Sequence, residues 1–381
     1  MLSNIQTSIQ INTLHECVSK IVHTENMIIK KWSIESISSP VLNFTTAGIF
    51  RIDGMAVNEQ REIPWSLILK IIQSENNEKN NPQHHNYWKR EALVNQSGIL
   101  RDLPAAIYVP QCYQVEEKRD GTIWIWMEEM EEDNRQLWSE EEFAFAARQL
   151  GIFNGVYVTE SDIPEEEWIC RSWLRSWVDG CRKYAADPAV YYPTIQNPAD
   201  LCSIYHDYLY LHNHLDKYFN AMGKLPRVLA HQDLSKQNMY VNLDPAADQP
   251  FTLIDWQFLS ISGLGEDLGK LFGVALSQQD IPIEKVNRYK KILFASYIEG
   301  LKEAGWDEDI TLPKYGFYAS LAIRSAWEVP KLIKLMAKAE QQSEAEILEE
   351  IELLIHITSF QMELSREAEN MLSVLKREKL I

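Results

Sequence analysis

Four residues whose side chains can bind a metal ion or accept a proton lie close together in the second half of the chain. His231, Asp233 and Asn238 form the pattern H-x-D-x-x-x-x-N, and Asp255 follows in I-D-W-Q. Apolar runs precede both groups, so the polar residues lie where predicted strands turn. Each residue alone is an ordinary turn residue, but their joint arrangement is improbable by chance. Their carboxylate and amide oxygens are ligands of the kind that Mg²⁺ prefers, which makes this cluster the candidate reactive site.

The pattern resembles the catalytic and metal-binding loops of the aminoglycoside phosphotransferase and choline kinase family. The segment L-G-E-D-L-G-K-L, residues 264–271, is similar to the acidic segment that follows the metal-binding loop in that family, and a less specific resemblance covers residues 43–271. It implies an α+β, protein-kinase-like fold of two lobes, with a small antiparallel-sheet N-terminal lobe containing one helix and a large, mainly helical C-terminal lobe. It also implies transfer of the γ-phosphate of ATP, or of GTP, to a hydroxyl group of a small molecule.

The resemblance assigns a role to each residue of the cluster. Asp233 would be the base that orients and deprotonates the attacking hydroxyl, while Asn238 and Asp255 would hold Mg²⁺ beside the phosphates. His231 would support the loop by hydrogen bonding. Gln257 stands where the family commonly has Glu, but this position does not carry the transferred charge, so we expect an active enzyme.

A lysine and a glutamate earlier in the chain form a second candidate group. Lys70 ends the apolar run S-L-I-L, where kinase-like folds place the lysine that contacts the α- and β-phosphates, and Glu91 on the next helix is its natural partner. The alternative is an edge-strand lysine with a solvated tip. If the two residues pair across a solvent-accessible cleft, we expect the pair to contribute about 1 kcal/mol or less to the free energy of unfolding.

Two segments of the same region are candidate nucleotide contacts. Residues 43–48 (N-F-T-T-A-G) would form the loop over the phosphates, with Thr46 and Gly48 as its contact residues. The segment lacks G-x-G-x-x-G, and a plain β-turn explains it nearly as well. Backbone groups of Glu128 and Met130, in the M-E-E-M segment that joins the two lobes, would bind adenine.

The sequence favours a small-molecule acceptor but leaves its identity open. Protein kinases have a lysine two residues after the catalytic Asp, where this chain has Ser235, and no A-P-E motif follows Asp255. The net charge and the acidic runs would attract an aminoglycoside, and Trp168, Trp173 and Trp177 could form a cage for choline or ethanolamine. Solvated helix faces and core packing explain these features equally well. Amino sugars, homoserine, methylthioribose and macrolides are further candidates by resemblance, and a non-catalytic nucleotide-binding scaffold is the alternative of a different class.

Strand signals dominate residues 33–130, which would position the lysine and the nucleotide contacts. One helix is expected within this region, over residues 87–100, and Asp120 and Gly121 give a strong hairpin signal. Four runs rich in β-branched and aromatic residues predict strands, residues 47–57, 64–72, 107–115 and 122–130. The polar stretch of residues 58–63 separates the first two, which are expected to lie in one antiparallel sheet.

Helical periodicity dominates the rest of the chain, and short strands that carry the reactive cluster interrupt it. The predicted helices are residues 140–157, 165–184, 204–222, 284–304 and 344–377, and the predicted short strands are residues 227–230, 239–242 and 251–254. The composition changes near Glu131. We therefore expect a nucleotide-binding lobe over residues 1–130 and, over residues 131–381, a helical lobe with the catalytic loop, the metal-binding loop and the acceptor pocket.

Composition excludes several classes of protein. The 381 residues carry a net charge of −18, so there is no basic surplus to displace counterions from a nucleic acid. The N-terminus lacks a basic segment followed by an apolar block, and no run of about 18 apolar residues occurs, so we expect a cytoplasmic protein without a membrane partner. Five scattered cysteines without a C-x-x-C pair predict reduced thiols. The oligomeric state is left open.

Overall fold

Strands dominate the first third of the fold and helices the rest. The computed structural model describes all of the chain except residues 1, 38–44, 60, 102, 105–106, 131–136, 196–198, 245 and 342–344. Its strands are β1 (Ile28–Ser36), β2 (Thr46–Asn58), β3 (Arg61–Ile72), β4 (Cys112–Glu117), β5 (Ile123–Met127), β6 (Arg227–Ala230), β7 (Met239–Val241), β8 (Phe251–Leu253) and β9 (Ser260–Gly263). Its helices are α1 (Leu2–Ser8), α2 (Ile11–Ile21), α3 (Arg90–Ser97), α4 (Glu140–Thr159), α5 (Trp173–Tyr184), α6 (Pro188–Tyr191), α7 (Ala199–Asn213), α8 (Leu215–Met222), α9 (Glu266–Ser277), α10 (Val286–Glu303), α11 (Thr311–Ile323), α12 (Ser325–Ala339) and α13 (Ala345–Arg377).

The first five strands form one antiparallel sheet in the order β1-β2-β3-β5-β4. The strands predicted over residues 47–57 and 64–72 are confirmed as β2 and β3, which pair along their whole length down to Asn58 opposite Arg61. The polar stretch between them lies largely within the ladder. Glu62 pairs with Val57, so the backbone groups of these polar residues are satisfied within the sheet, and residue 60 lies outside the described residues.

The sheet is apolar on one face because side chains alternate along each strand. Leu67 and Leu69 of β3 are fully buried beneath α2, which contributes Leu14 and Val18 to the same core. Neither α1 nor α2 was predicted. The 7 residues of α1 show too few turns for a clear period, whereas the buried residues Leu14, Cys17 and Val18 of α2 do follow a helical spacing. Lys70 lies on the opposite face, which is turned towards the helical lobe.

Two glycines in the left-handed region end local elements of the sheet lobe. Gly121, with φ 85°, completes the turn between β4 and β5, which confirms the predicted hairpin. Gly98, with φ 84°, ends α3. The helix predicted over residues 87–100 is therefore confirmed, although it is shorter at both ends.

The rest of the chain is mainly helical, as predicted, but several boundaries differ. The helix predicted over residues 165–184 begins only at Trp173, and the one predicted over residues 204–222 breaks at His214 into α7 and α8. The sequence missed α9, α11 and α12. In α11, nearly every residue from Leu312 to Ile323 is buried, so no polar face remains to give an amphipathic pattern.

Two further findings concern the whole chain. All five cysteines are free thiols, and no helix among the described residues is long and apolar enough to cross a membrane. The predicted lobe boundary near Glu131 lies outside the described residues, so the division into residues 1–130 and 131–381 stays a prediction.

Four short strands of the helical lobe form two ladders that carry the reactive cluster. β6 pairs with β9, and β7 pairs with β8. The sequence predicted three of these strands but not β9. The β7–β8 ladder places Met239 opposite Leu253, and the Ile254 N–H donates to the Asn238 carbonyl at 3.0 Å. The two loops that begin with His231 and Asp255 therefore meet at one end of this ladder.

Candidate functional site

A cleft of about 770 Å³ lies between the sheet and the helical lobe. The sheet contributes Ile49, Ile68 and Lys70 to its walls, the segment joining the lobes contributes Met127, Glu128 and Met130, and the helical lobe contributes Tyr240, Ile254 and Asp255. Apolar walls with a charged end suit a ligand that has a flat apolar part and an ionic part.

Lys70 joins the two lobes at the charged end of the cleft. Its Nζ lies 2.7 Å from Glu91 Oε2 and 2.9 Å from Asp255 Oδ1. Burial alone would lower the pKa of Lys70, but Asp255 and Glu91 outweigh it and raise that pKa above its ordinary value. The structure thus brings the predicted partners together. The expectation of a solvent-accessible pair is wrong, because Lys70 and Glu91 are each only 4% exposed.

Arg90 fixes the helix that carries Glu91. Its buried guanidinium donates to two carbonyls of the helical lobe, that of Gln257 at 3.2 Å and that of Trp168 at 3.3 Å. It also donates to carbonyls of the preceding loop, those of Pro82, His84 and His85. The position of α3 is therefore set by contacts with the helical lobe, which no local pattern predicts.

His231 holds the two loops of the cluster together. The Asp233 N–H donates to His231 Nδ1 at 3.1 Å, so the neutral ring carries its proton on Nε2, which donates to the Ile254 carbonyl at 3.0 Å. Burial lowers the pKa of His231 to about 4, which keeps the ring neutral. These are the contacts of a residue that supports the loop.

Asp267 anchors the same loop from the first turn of α9. Its two carboxylate oxygens accept the backbone N–H groups of His231 and Gln232, both at 2.9 Å. Gln232 has φ 59°, an uncommon conformation for a residue with a side chain, and this pair of hydrogen bonds helps to hold it there. Burial raises the pKa of Asp267 to about 6. Its only sequence signal was its place in L-G-E-D-L-G-K-L.

Asp233 and Asp255 approach each other beside Gln257. The Gln257 amide Nε2 lies 3.4 Å from Asp233 Oδ2 and 3.5 Å from Asp255 Oδ2. Burial raises the pKa of Asp233, and Asp255 adds to this effect while Lys270 opposes it. Asp255 adopts φ 60°, a left-handed conformation that Asp tolerates better than most residues. Each carboxylate keeps about a fifth of its side chain exposed, and that of Asp255 lines the cleft.

Asn238 and Asp255 offer oxygen atoms at the same end of the β7–β8 ladder. The Asn238 amide Nδ2 donates to the Asp233 carbonyl at 2.9 Å, which leaves the amide oxygen as the ligand atom. Among the described residues, no group of three or more His, Cys, Asp and Glu could hold a metal ion by itself. Two protein oxygens suit Mg²⁺, which keeps waters and takes phosphate oxygens from the substrate.

The predicted nucleotide contacts of the sheet lobe lie at the start of β2. Thr46 pairs with Ile72 and Gly48 with Ile71, and neither Thr46 nor Gly48 lines the cleft cavity. A Cβ atom at position 48 would lie 2.7 Å from the Phe50 ring, so close packing accounts for this glycine. Residues 43 and 44 lie outside the described residues, and the phosphate loop stays a prediction.

The segment joining the lobes is held by one side chain. Gln111 donates its N–H to Glu128 Oε2 at 2.9 Å, and the Tyr108 hydroxyl donates to the same oxygen. The Glu128 N–H donates back to the Gln111 carbonyl at 2.9 Å. Glu128 and Met130 both line the cleft, as the adenine contacts predicted from the sequence should.

Sequence reasoning missed several residues that the structure places at the site. Ile68 could have been found, because it lies two positions before Lys70 on the same face of β3. Tyr240 likewise follows Asn238 by two positions. Lys270, whose Nζ lies 3.5 Å from Asp233 Oδ1, gave no such signal, since α9 meets the loop of residues 231–238 only in the folded chain.

One family model matches part of the chain. It is described as "Uncharacterized oxidoreductase dhs-27" and covers residues 171–312, fewer than half of the chain but including the whole reactive cluster. No curated protein matches the chain significantly.

Solved structures match nearly the whole chain. Amicoumacin kinase hAmiN in complex with AMP-PNP, Ca²⁺ and Ami is 12% identical, with a TM-score of 0.53 over 96% of each chain. Choline kinase from Cryptosporidium parvum Iowa II is 14% identical over 92% of this chain and 91% of that one, with a TM-score of 0.49. The GDP complex of wild-type aminoglycoside 2'-phosphotransferase-IIIa is 14% identical over 91% and 99%, with a TM-score of 0.45.

The match to amicoumacin kinase shows a shared fold. It confirms the predicted two-lobed, protein-kinase-like architecture and, at the level of the fold, the resemblance on which that prediction rested.

Proposed function

We propose that the protein transfers the γ-phosphate of ATP, or of GTP, to a hydroxyl group of a small molecule. The observation that carries the proposal is the contact of Lys70 with both Glu91 and Asp255, which joins the lobes beside Asp233. Phosphoryl transfer needs a fixed cation for the phosphates, oxygen ligands for a metal ion and a carboxylate for the acceptor hydroxyl. Lys70 and Asp255 line the cleft, and Asp233 and Asn238 lie on the adjoining loop, within one fold of kinase type.

The nucleotide would lie in the cleft with its base between apolar side chains. Ile49 and Ile68 face Tyr240 and Ile254 across a space of about 770 Å³, enough for a nucleotide. Backbone groups of Glu128 and Met130 would bind the edge of the base. Lys70, which its two carboxylate partners keep charged, would bind the α- and β-phosphates.

Asn238 and Asp255 would hold Mg²⁺, which when bound neutralises charge on the phosphate oxygens. Asp233 would orient the acceptor hydroxyl and take its proton as the oxygen attacks the γ-phosphorus. Burial raises the pKa of Asp233, which makes it a better proton acceptor than an exposed carboxylate. His231 and Asp267 would keep the loop in place.

We propose only the chemical class of the acceptor, a small molecule with a hydroxyl group. Amine-bearing compounds such as aminoglycosides are the first candidates. The three tryptophans do not form an open cage. Trp168 precedes α5, and Trp173 is 2% exposed within the main core. The cation that the Trp173 ring faces is the protein's own Lys270, at 5.3 Å from the ring centroid. These contacts favour core packing over choline binding at this place.

A panel of hydroxyl-bearing metabolites, choline, ethanolamine and aminoglycosides tests the proposal, with release of ADP or GDP as the readout. For the acceptor found, Asp233→Asn should leave nucleotide affinity within about twofold while single-turnover transfer falls by roughly 10²-fold or more. Asp248→Asn, an exposed acid between β7 and β8, is the matched control and should transfer at the wild-type rate.

Two results would point to other functions. Tight nucleotide binding without transfer to any acceptor would favour the scaffold alternative. Because the matching family model is described as an oxidoreductase, oxidation of NADH and NADPH is measured in parallel, and substrate-dependent turnover of either would contradict the proposal.

A further inference from the structure

Helix α9 holds the catalytic loop at two points. Asp267 binds the backbone N–H groups at the start of the loop, and Lys270, one turn later, reaches the side chain of Asp233. Residues three apart lie on the same side of a helix, so both contacts come from one surface of α9. The first contact fixes the backbone of the loop, and the second acts on the carboxylate itself.

Lys270 is enclosed between two aromatic rings beside Asp233. Its side chain is 12% exposed, and its Nζ lies 5.3 Å from the centroid of the Trp173 ring and 5.8 Å from that of Phe258. Among the described residues, Lys270 is the one cation within ion-pair distance of Asp233. Burial lowers the pKa of Lys270, and Asp233 opposes this shift by favouring the charged form.

Asp233 has few other contacts that could orient it. The Gln257 amide lies 3.4 Å from Oδ2, a long hydrogen bond. Position 235, where a protein kinase would have a lysine, is Ser. An unoriented carboxylate would sample several rotamers, and misplacing a base by about 1 Å can lower a rate by about 10²-fold.

We propose that Lys270 is a positioning residue for the proposed transfer and holds the Asp233 carboxylate towards the acceptor hydroxyl. This inference rests on the proposed function. In the transfer step, the acceptor oxygen forms a bond to the γ-phosphorus. The bond from that phosphorus to the bridging oxygen breaks, and its electron pair leaves on ADP or GDP. The hydroxyl proton passes to Asp233. Once Asp233 has taken the proton, its carboxylate no longer balances the charge of Lys270. The negative charge of the new phosphate ester beside Lys270 then does so.

The test uses three substitutions that separate charge from volume. Lys270→Met keeps the length of the side chain between the two rings but removes its charge. It should lower kcat by about 10²-fold. The KM for ATP should stay within about twofold, because Lys70 and Asp255 are unchanged. Lys270→Arg should retain part of the activity. Lys270→Ala should regain activity, saturably, when propylammonium replaces the missing atoms. Lys285→Met, an exposed lysine of the same lobe, is the control.

Two outcomes would overturn the proposal. A Lys270→Met enzyme with wild-type kcat would show that this side chain only fills space between the rings. The second outcome combines two observations. Propylammonium does not restore the kcat of Lys270→Ala, and the thermal midpoint is lowered in all three variants. That outcome would show a structural role.

Failure of the proposed function is recognised separately, from a wild-type protein that binds nucleotide but transfers phosphate to no acceptor. A crystal structure of Lys270→Met then tests whether Lys270 holds the Asp233 carboxylate in place. A displaced carboxylate supports the positioning role, and an unchanged one overturns it.

Discussion

The ammonium group of Lys70 lies 2.9 Å from the carboxylate of Asp255, although 185 residues separate them in the chain. One oxygen of the proposed metal ligand is thus already paired with a cation of the other lobe. Because a bound nucleotide would bring several negative charges to this point, Lys70 and the metal ion would share Asp255 and the phosphates. In the proposed function, the contact would connect nucleotide binding with the relative position of the lobes.

Nucleotide affinity should depend on Asp255 and Mg²⁺ together. Without a divalent ion, the phosphates would lie next to an acidic side chain with only Lys70 to offset the repulsion. Calorimetry of ATP binding to wild type and Asp255→Ala, each with and without Mg²⁺, should show strong Mg²⁺ dependence only for the wild type. Equal affinities in all four conditions would contradict the metal assignment.

Substitution of Lys70 should destabilise the fold as well as stop turnover. Lys70→Met leaves buried Glu91 without its cation, and breaking a buried ion pair costs about 3 kcal/mol or more. The double variant Lys70→Met/Glu91→Gln should regain part of that loss, because the uncompensated charge is removed. Urea unfolding of the wild type, both single variants and the double variant measures the coupling. Additive losses below about 1 kcal/mol would mean that the pair is exposed in solution.

His212 in α7 should contribute a loss in the free energy of unfolding as the pH falls from 6.5 to 5. Burial, together with Arg182, lowers the pKa of this ring from 6.5 to about 3. The unfolded chain therefore takes up a proton in this range and the folded chain does not, so stability is lost as the pH falls. The loss from this ring alone is about 2 kcal/mol at pH 5.

The variant His212→Gln isolates this contribution. Between pH 7 and pH 5, urea unfolding should show a loss about 2 kcal/mol smaller for His212→Gln than for the wild type. His206→Gln, at an exposed position on the same helix, is the control and should follow the wild type. Parallel pH profiles for all three proteins would show that His212 is protonated in the folded state.

Much of the fold could be predicted from local patterns. Runs rich in β-branched and aromatic residues predicted β2 and β3, and Asp120 and Gly121 predicted the β4–β5 hairpin. Helical periodicity was sufficient to predict that the second half of the chain is mainly helical. Helices that are buried all round, such as α11, left no period to detect. The strand β9 was missed because four residues form a strand only when β6 is beside them.

The sequence by itself determined which residues could take part in the chemistry. The spacing of Asp233, Asn238 and Asp255 and the place of Lys70 in an apolar strand are local features, and they are readable because the loop and the strands are continuous in the chain. It did not determine the environment of these residues. The buried Lys70–Glu91 pair joins residues 21 positions apart, and the contact of Lys270 with Asp233 joins residues 37 positions apart. Only tertiary packing decides such contacts, since burial and ion pairing depend on which surfaces meet when the lobes and α9 come together.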